Sequence, residues 1–70
     1  MKIGTRVRVV AGDTLASKIA AGKTGVVVER SKRLVEVESI AHREAFPISM
    51  KLDDSDRVLV WAEAELEAIS

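Results

Sequence analysis

A chain of 70 residues without a cysteine must be held together by its apolar core, because no disulfide can cross-link it. The only histidine is His42, so the cysteine and histidine ligands of an ordinary zinc site are missing as well. Aliphatic side chains supply most of the core, since Phe46 and Trp61 are the only aromatic residues. The abundance of valine favours β-strands.

Alternation of apolar and polar residues predicts a series of short strands. In the first, Val7 and Val9 point to one side while Arg6 and Arg8 point to the other. The same reasoning predicts strands at residues 5–10, 25–29, 34–37, 48–52 and 57–61, with residues 34–37 pairing back on the second strand as a hairpin. These strands account for most of the chain, so the sequence predicts an all-β fold.

Three segments between the strands have a different character. Residues 11–22 are predicted to form a long loop with a short helix, capped by Asp13 or Thr14, that carries Leu15 and Ile19 on one face and ends at Gly22. Residues 39–45 are expected to form a loop. Residues 62–65 favour a helical turn, followed by a last strand through Ile69. Together the segments predict a single domain over residues 1–70, a small closed or nearly closed barrel of five to six strands.

Charge and hydropathy limit the classes of partner and the compartment. Eleven basic side chains balance eleven acidic ones, so there is no overall excess of positive charge to drive binding to nucleic acid. Basic residues concentrate in the first half of the chain and acidic residues in the second. No stretch is apolar for long enough to span a membrane, and the first ten residues do not have the pattern of a signal peptide. We therefore expect a cytoplasmic protein with no membrane association.

Four segments carry a likeness to a known family. They are Gly4 to Val9, Gly22 to Val28, Phe46 to Asp54 and Ala64 to Ile69, in that order along the chain. Together they resemble the small SH3-like barrels, which include the KOW hairpins of ribosomal and transcription factors, the E subunit of photosystem I and short uncharacterised phage and bacterial proteins. The resemblance implies an SH3-like barrel that binds another macromolecule. It implies no particular partner, because such barrels carry unrelated binding roles.

Several motifs that could indicate chemistry are incomplete. Gly22-Lys23-Thr24 resembles the end of a phosphate-binding loop, but Ser17 stands where the first glycine is required and a strand follows. The acidic run at residues 53–56 lacks the glycine and the later glutamate of a calcium loop. No nucleophile accompanies His42. We therefore predict no enzymatic activity, no catalytic residue, no metal and no cofactor, and we interpret the glutamates at 63, 65 and 67 as an exposed acidic edge.

The predicted function is a small protein-protein interaction module, such as a phage or bacterial accessory factor that docks on a larger cellular complex. Leu59 and Trp61 point to the same side of their strand and are predicted to contact the partner, with Arg30, Lys32 and Arg33 in a neighbouring basic turn. A bent strand that buries both of its faces would instead place Trp61 in the core.

Two other functions remain open from the sequence. A KOW-like hairpin would bind RNA or DNA through basic side chains that neutralise phosphates, and the candidates are Arg6, Arg8, Lys23, Arg30, Lys32 and Arg33. A homo-oligomeric structural component is the third alternative, and a homodimer would also bury Trp61. Zero net charge favours a protein partner over nucleic acid.

Overall fold

The sheet determines the architecture of this protein. The computed structural model describes residues 1–69, so Ser70, the last residue of the predicted domain, lies outside the described residues. Within them are five strands, β1 (Arg6–Val9), β2 (Thr24–Val27), β3 (Ile48–Leu52), β4 (Val58–Trp61) and β5 (Leu66–Ala68). All neighbouring strands are antiparallel, in the order β4-β3-β2-β1-β5. The five strands form an antiparallel half-barrel in which the last strand lies beside the first.

Short helical segments fill the connections. In the described residues these are α1 (Leu15–Ala20), α2 (Lys32–Val37), α3 (Ile40–Ala45) and a 3₁₀ turn (Glu63–Glu65). The predictions of α1 and of the turn before the last strand are confirmed. None of the helices among residues 1–69 is long and apolar enough to cross a membrane.

The buried core is built of aliphatic side chains, one methionine and one tryptophan. It consists of Val7, Val9, Ala20, Val27, Ile48, Met50, Leu52, Trp61 and Leu66. The strict alternation predicted for β1 is confirmed, since Val7 and Val9 are buried and Arg6 and Arg8 are exposed. Gly25 makes this packing close, because a Cβ there would collide with the sulfur of Met50 and the carbonyl oxygen of Lys51.

Two predictions for the connection between β2 and β3 are wrong. Residues 34–37 belong to a helix rather than a strand, and residues 39–45 are largely helical rather than a loop. Serine caps explain both helices. The Ser31 hydroxyl accepts the N–H of Leu34 at 3.2 Å, and the Ser39 hydroxyl accepts the N–H of His42 at 3.1 Å. The molecule is therefore a small β-rich fold with helical connections, and the expectation of an all-β chain is confirmed only for the sheet.

Candidate binding cleft

A cleft of about 460 Å³ opens where three connections meet. Its walls come from the residues around the start of α1, the end of α3 and the 3₁₀ turn. The lining residues are Ala11, Gly12, Asp13, Thr14, Ala45, Phe46, Ala62, Ala64 and Glu65. Five of the nine are alanine or glycine, whose small side chains leave the space open.

Glu65 is the buried polar group of this cleft. Its residue surface is only 3% exposed, and its carboxylate accepts the N–H of Ala62 at 2.9 Å and the hydroxyl hydrogen of Thr14. The prediction of an exposed Glu65 is therefore wrong, although Glu63 and Glu67 are exposed. The 3₁₀ turn breaks the strand-like alternation and rotates Glu65 inwards.

Polar contacts also fix the start of α1 beside Glu65. The Ser17 hydroxyl donates to the carbonyl oxygen of Thr14 at 2.8 Å and accepts the N–H of Gly12 at 2.9 Å. Gly12 allows the loop to approach closely, since a Cβ there would lie 2.9 Å from Cγ of Glu65. Thus α1 buries a serine and turns its apolar pair outwards, with Leu15 and Ile19 each 72% exposed.

The ionisable side chains that line the cleft are all acidic. Burial alone would raise the pKa of Glu65, but hydrogen bonds from Thr14 and the Ala62 backbone outweigh it and lower that pKa, so the group is ionised at neutral pH. In the part of the chain that the structure describes, no basic side chain forms an ion pair with Glu65. The other ionisable lining residue is Asp13, which is also acidic. The cleft is therefore negatively charged.

Phe46 provides the aromatic wall of the cleft and is held by the helical connection. Its ring lies 4.9 Å from that of His42, centroid to centroid, and its carbonyl oxygen accepts a hydrogen bond from Arg30. Arg30 also donates to the Ser49 hydroxyl at 2.8 Å and forms an ion pair with Glu38. These bonds attach the end of α3 to β3.

The structure changes the roles predicted for two residues of the proposed contact surface. Trp61 is 1% exposed and packs in the core, which corrects its predicted role as a contact residue, whereas Leu59 is 38% exposed. The side chain of Arg30 is only 12% exposed and is used to hold the helical connection, which likewise corrects its role as a surface cation. Lys32 and Arg33 are exposed on α2, as predicted. Because Trp61 is buried, Leu59 is the one apolar residue of the predicted contact set that remains accessible.

Two of the basic residues predicted for nucleic-acid binding form ion pairs with acidic side chains. Arg6 forms a two-point ion pair with Asp53 at 2.8 and 2.9 Å, and Lys23 pairs with Asp54 at 3.2 Å. Arg8 is exposed on the other side of β1 from the buried valines. Pairing with carboxylates reduces the positive field that a phosphate backbone would meet.

The sequence predicts Asp13 and Thr14 only as helix caps, and it does not indicate that they line a cleft. One pattern could have indicated it, because a glutamate three residues after the start of a helical turn often reaches back to cap that turn, as Glu65 does for Ala62. Comparison with protein-family models, with curated proteins and with solved structures gave no match. The fold and the site therefore define the protein as a small β-rich domain with an acidic cleft.

Proposed function

We propose that this protein is a non-enzymatic protein-interaction module whose cleft receives a lysine- or arginine-containing segment of another protein. The observation that carries the proposal is the ionised, buried carboxylate of Glu65, which has hydrogen-bond partners but no ion-pair partner among residues 1–69. A cation from a partner would supply the missing opposite charge in a partly desolvated place, where Coulomb attraction is stronger than in bulk water.

The walls of the cleft fit the rest of such a side chain. Lysine and arginine carry an aliphatic stem below the charged group, and the stem needs apolar surface. The alanines of the lining and the ring of Phe46 offer that surface, while Asp13 adds a second negative charge. Leu15 and Ile19, exposed on the helix that begins at the cleft, extend the apolar area available to a partner.

We further propose that the fold is a variant of the SH3-like barrel. Two observations support this: the strand order β4-β3-β2-β1-β5, with the last strand beside the first, and the 3₁₀ turn that joins β4 to β5. The helical connection between β2 and β3 is longer than these barrels usually have. It supplies Ala45 and Phe46 to the cleft, so the departure from the family pattern coincides with the site.

Selection from a random peptide library tests the proposed function. We expect the wild-type protein to enrich peptides with lysine or arginine, and their affinity to fall as salt screens the acidic cleft. Ala64→Lys places a positive charge on an exposed lining residue and should abolish the enrichment. Ala21→Lys makes the same change at an exposed alanine that follows the far end of α1, outside the lining, and should leave binding intact.

Two outcomes would contradict the proposal. One is enrichment of peptides without basic residues, and the other is equal binding by the Ala64→Lys and Ala21→Lys variants. Amide chemical-shift changes on adding a selected peptide should centre on residues 11–14 and 62–65 if the cleft is the site.

A further inference from the structure

The outer edge of β4 carries backbone groups that no strand among residues 1–69 pairs with. The carbonyl oxygen of Ser49 in β3 accepts the N–H of Val28 at 2.9 Å, so the backbone groups of Ser49 point towards β2. Ser49 lies opposite Val60, and in an antiparallel pair the two opposed residues are either both bonded to each other or both turned away. The N–H and C=O groups of Val60, and of Val58 two residues earlier, therefore face the open edge.

This edge lacks three of the devices that usually prevent association. Edge strands are commonly protected by charged side chains, proline or a bulge. In β4 the sequence is Val58-Leu59-Val60-Trp61, and its pairing with β3 is continuous from Ile48 to Lys51. Leu59, between the two residues that present the free groups, is 38% exposed.

We infer that two copies of this chain associate by antiparallel pairing of their β4 strands about a two-fold axis at Leu59. In this register Val58 of one copy lies opposite Val60 of the second copy, so all four free groups of each edge find partners. The two Leu59 side chains lie opposite each other and cover the exposed apolar surface. Shifting the axis to Val60 would place Val58 opposite Ala62, whose N–H and C=O groups are already bonded to Glu65.

The charges that flank β4 identify a second copy as the occupant. Arg57 precedes the strand and Glu63 follows it, both are exposed, and neither forms an ion pair within the part of the chain that is described. Antiparallel pairing brings the Arg57 end of one strand beside the Glu63 end of the other, so opposite charges meet at both ends of the contact. Parallel pairing would bring the two Arg57 side chains together instead. In the nearby acidic turn, Asp53 and Asp54 are paired with Arg6 and Lys23 of their own chain, so Asp56 is the remaining acidic side chain beside Arg57.

Sedimentation equilibrium over a concentration series tests this inference, which does not depend on the cleft. We expect a monomer at about 10 µM and a rising dimer fraction towards about 1 mM, since a single edge contact is small. Leu59→Lys places like charges opposite each other at the axis and should raise the dissociation constant at least about tenfold. Leu15→Lys, which replaces a more exposed leucine outside the edge, should leave it unchanged.

A charge exchange tests the register. Arg57→Glu alone should weaken the dimer by placing two acidic side chains together, and adding Glu63→Arg in the same chain should restore it. Circular dichroism at low concentration verifies that each variant is folded. A wild-type chain that stays monomeric to about 1 mM, a dimer disrupted by Leu15→Lys and not by Leu59→Lys, or a failed charge exchange would each overturn the inference.

Discussion

The guanidinium group of Arg30 reaches across the helical connection to the carboxylate of Glu38, and both side chains are largely buried, at 12% and 8% exposure. Removing one partner of a buried ion pair leaves the other charge uncompensated, which is more harmful than losing the attraction alone. The same guanidinium also holds Ser49 and the carbonyl oxygen of Phe46. Arg30 is therefore the residue that attaches α2 and α3 to the sheet.

From this we expect Arg30→Met to destabilise the protein by about 3 kcal/mol. Hydrogen exchange should show protection lost first in residues 32–45, because neither α2 nor α3 buries a side chain of its own. Arg33→Met removes an exposed cation from α2 and serves as the control, with an expected effect within about 0.5 kcal/mol. Equal effects of the two substitutions would show that Arg30 does not hold the connection.

Glu65 predicts a pH dependence of stability. Its pKa is lowered in the folded protein, so folding favours the ionised form. The resulting stabilisation is fully present above the pKa of the unfolded chain and is lost as the pH falls through the lower folded-state pKa. Asp53 acts in the same direction, because hydrogen bonds from Arg6 and Thr24 lower its pKa as well. Stability should therefore decrease steadily on acidification below the ordinary range of carboxyl groups.

Denaturation by urea at neutral pH and at about pH 3 measures this dependence. Glu65→Gln should destabilise the protein by about 1.5 kcal/mol at neutral pH and make the loss on acidification smaller. Glu67→Gln alters an exposed glutamate two residues away and should change stability by less than about 0.5 kcal/mol. An acid response that is unchanged in the Glu65 variant would contradict the stabilising role of its carboxylate.

We expect two substitutions of Trp61 to differ in how much they destabilise the protein. The residue is 1% exposed, and its Nε1–H has no hydrogen-bond partner within residues 1–69. Trp61→Ala should cost about 4 kcal/mol through the cavity it creates, which approaches the total stability of a domain this small. Trp61→Phe keeps most of the ring volume and removes the unsatisfied donor, so it should cost less than about 2 kcal/mol. Thermal unfolding distinguishes the two, and a Phe variant as unstable as the Ala variant would show that the indole N–H is satisfied.

The sequence predicts the sheet well because its strands bury one face and therefore show alternation. Val7 and Val9 of β1 are the clearest case. It fails for α2 and α3 because these helices bury no side chain, so neither helical periodicity nor an apolar face identifies them. Two kinds of interaction determine these helices. The Ser31 and Ser39 caps act locally, at the helix starts. The hydrogen bonds from Arg30 act over a longer range and attach the helices to the sheet.

The same distinction explains the site. Alternation places Leu59 and Trp61 correctly on one face of β4, but it does not indicate where along the strand that face passes from solvent to core. Glu65 is misassigned because the 3₁₀ turn interrupts the alternation. A cleft formed by three connections depends on how those connections meet, and that information is not contained in any one segment.

The pairing of β1 with β5 has a consequence for how the chain is made. Val9 lies opposite Leu66, so the first strand bonds to a strand that a ribosome synthesises only after the other four. The half-barrel can therefore be completed only after β5 has left the ribosome, and until then the edge of β1 that β5 covers is open to other chains. We expect the half-barrel to close in a late step that waits for β5, at the slow rate typical of contacts between distant residues.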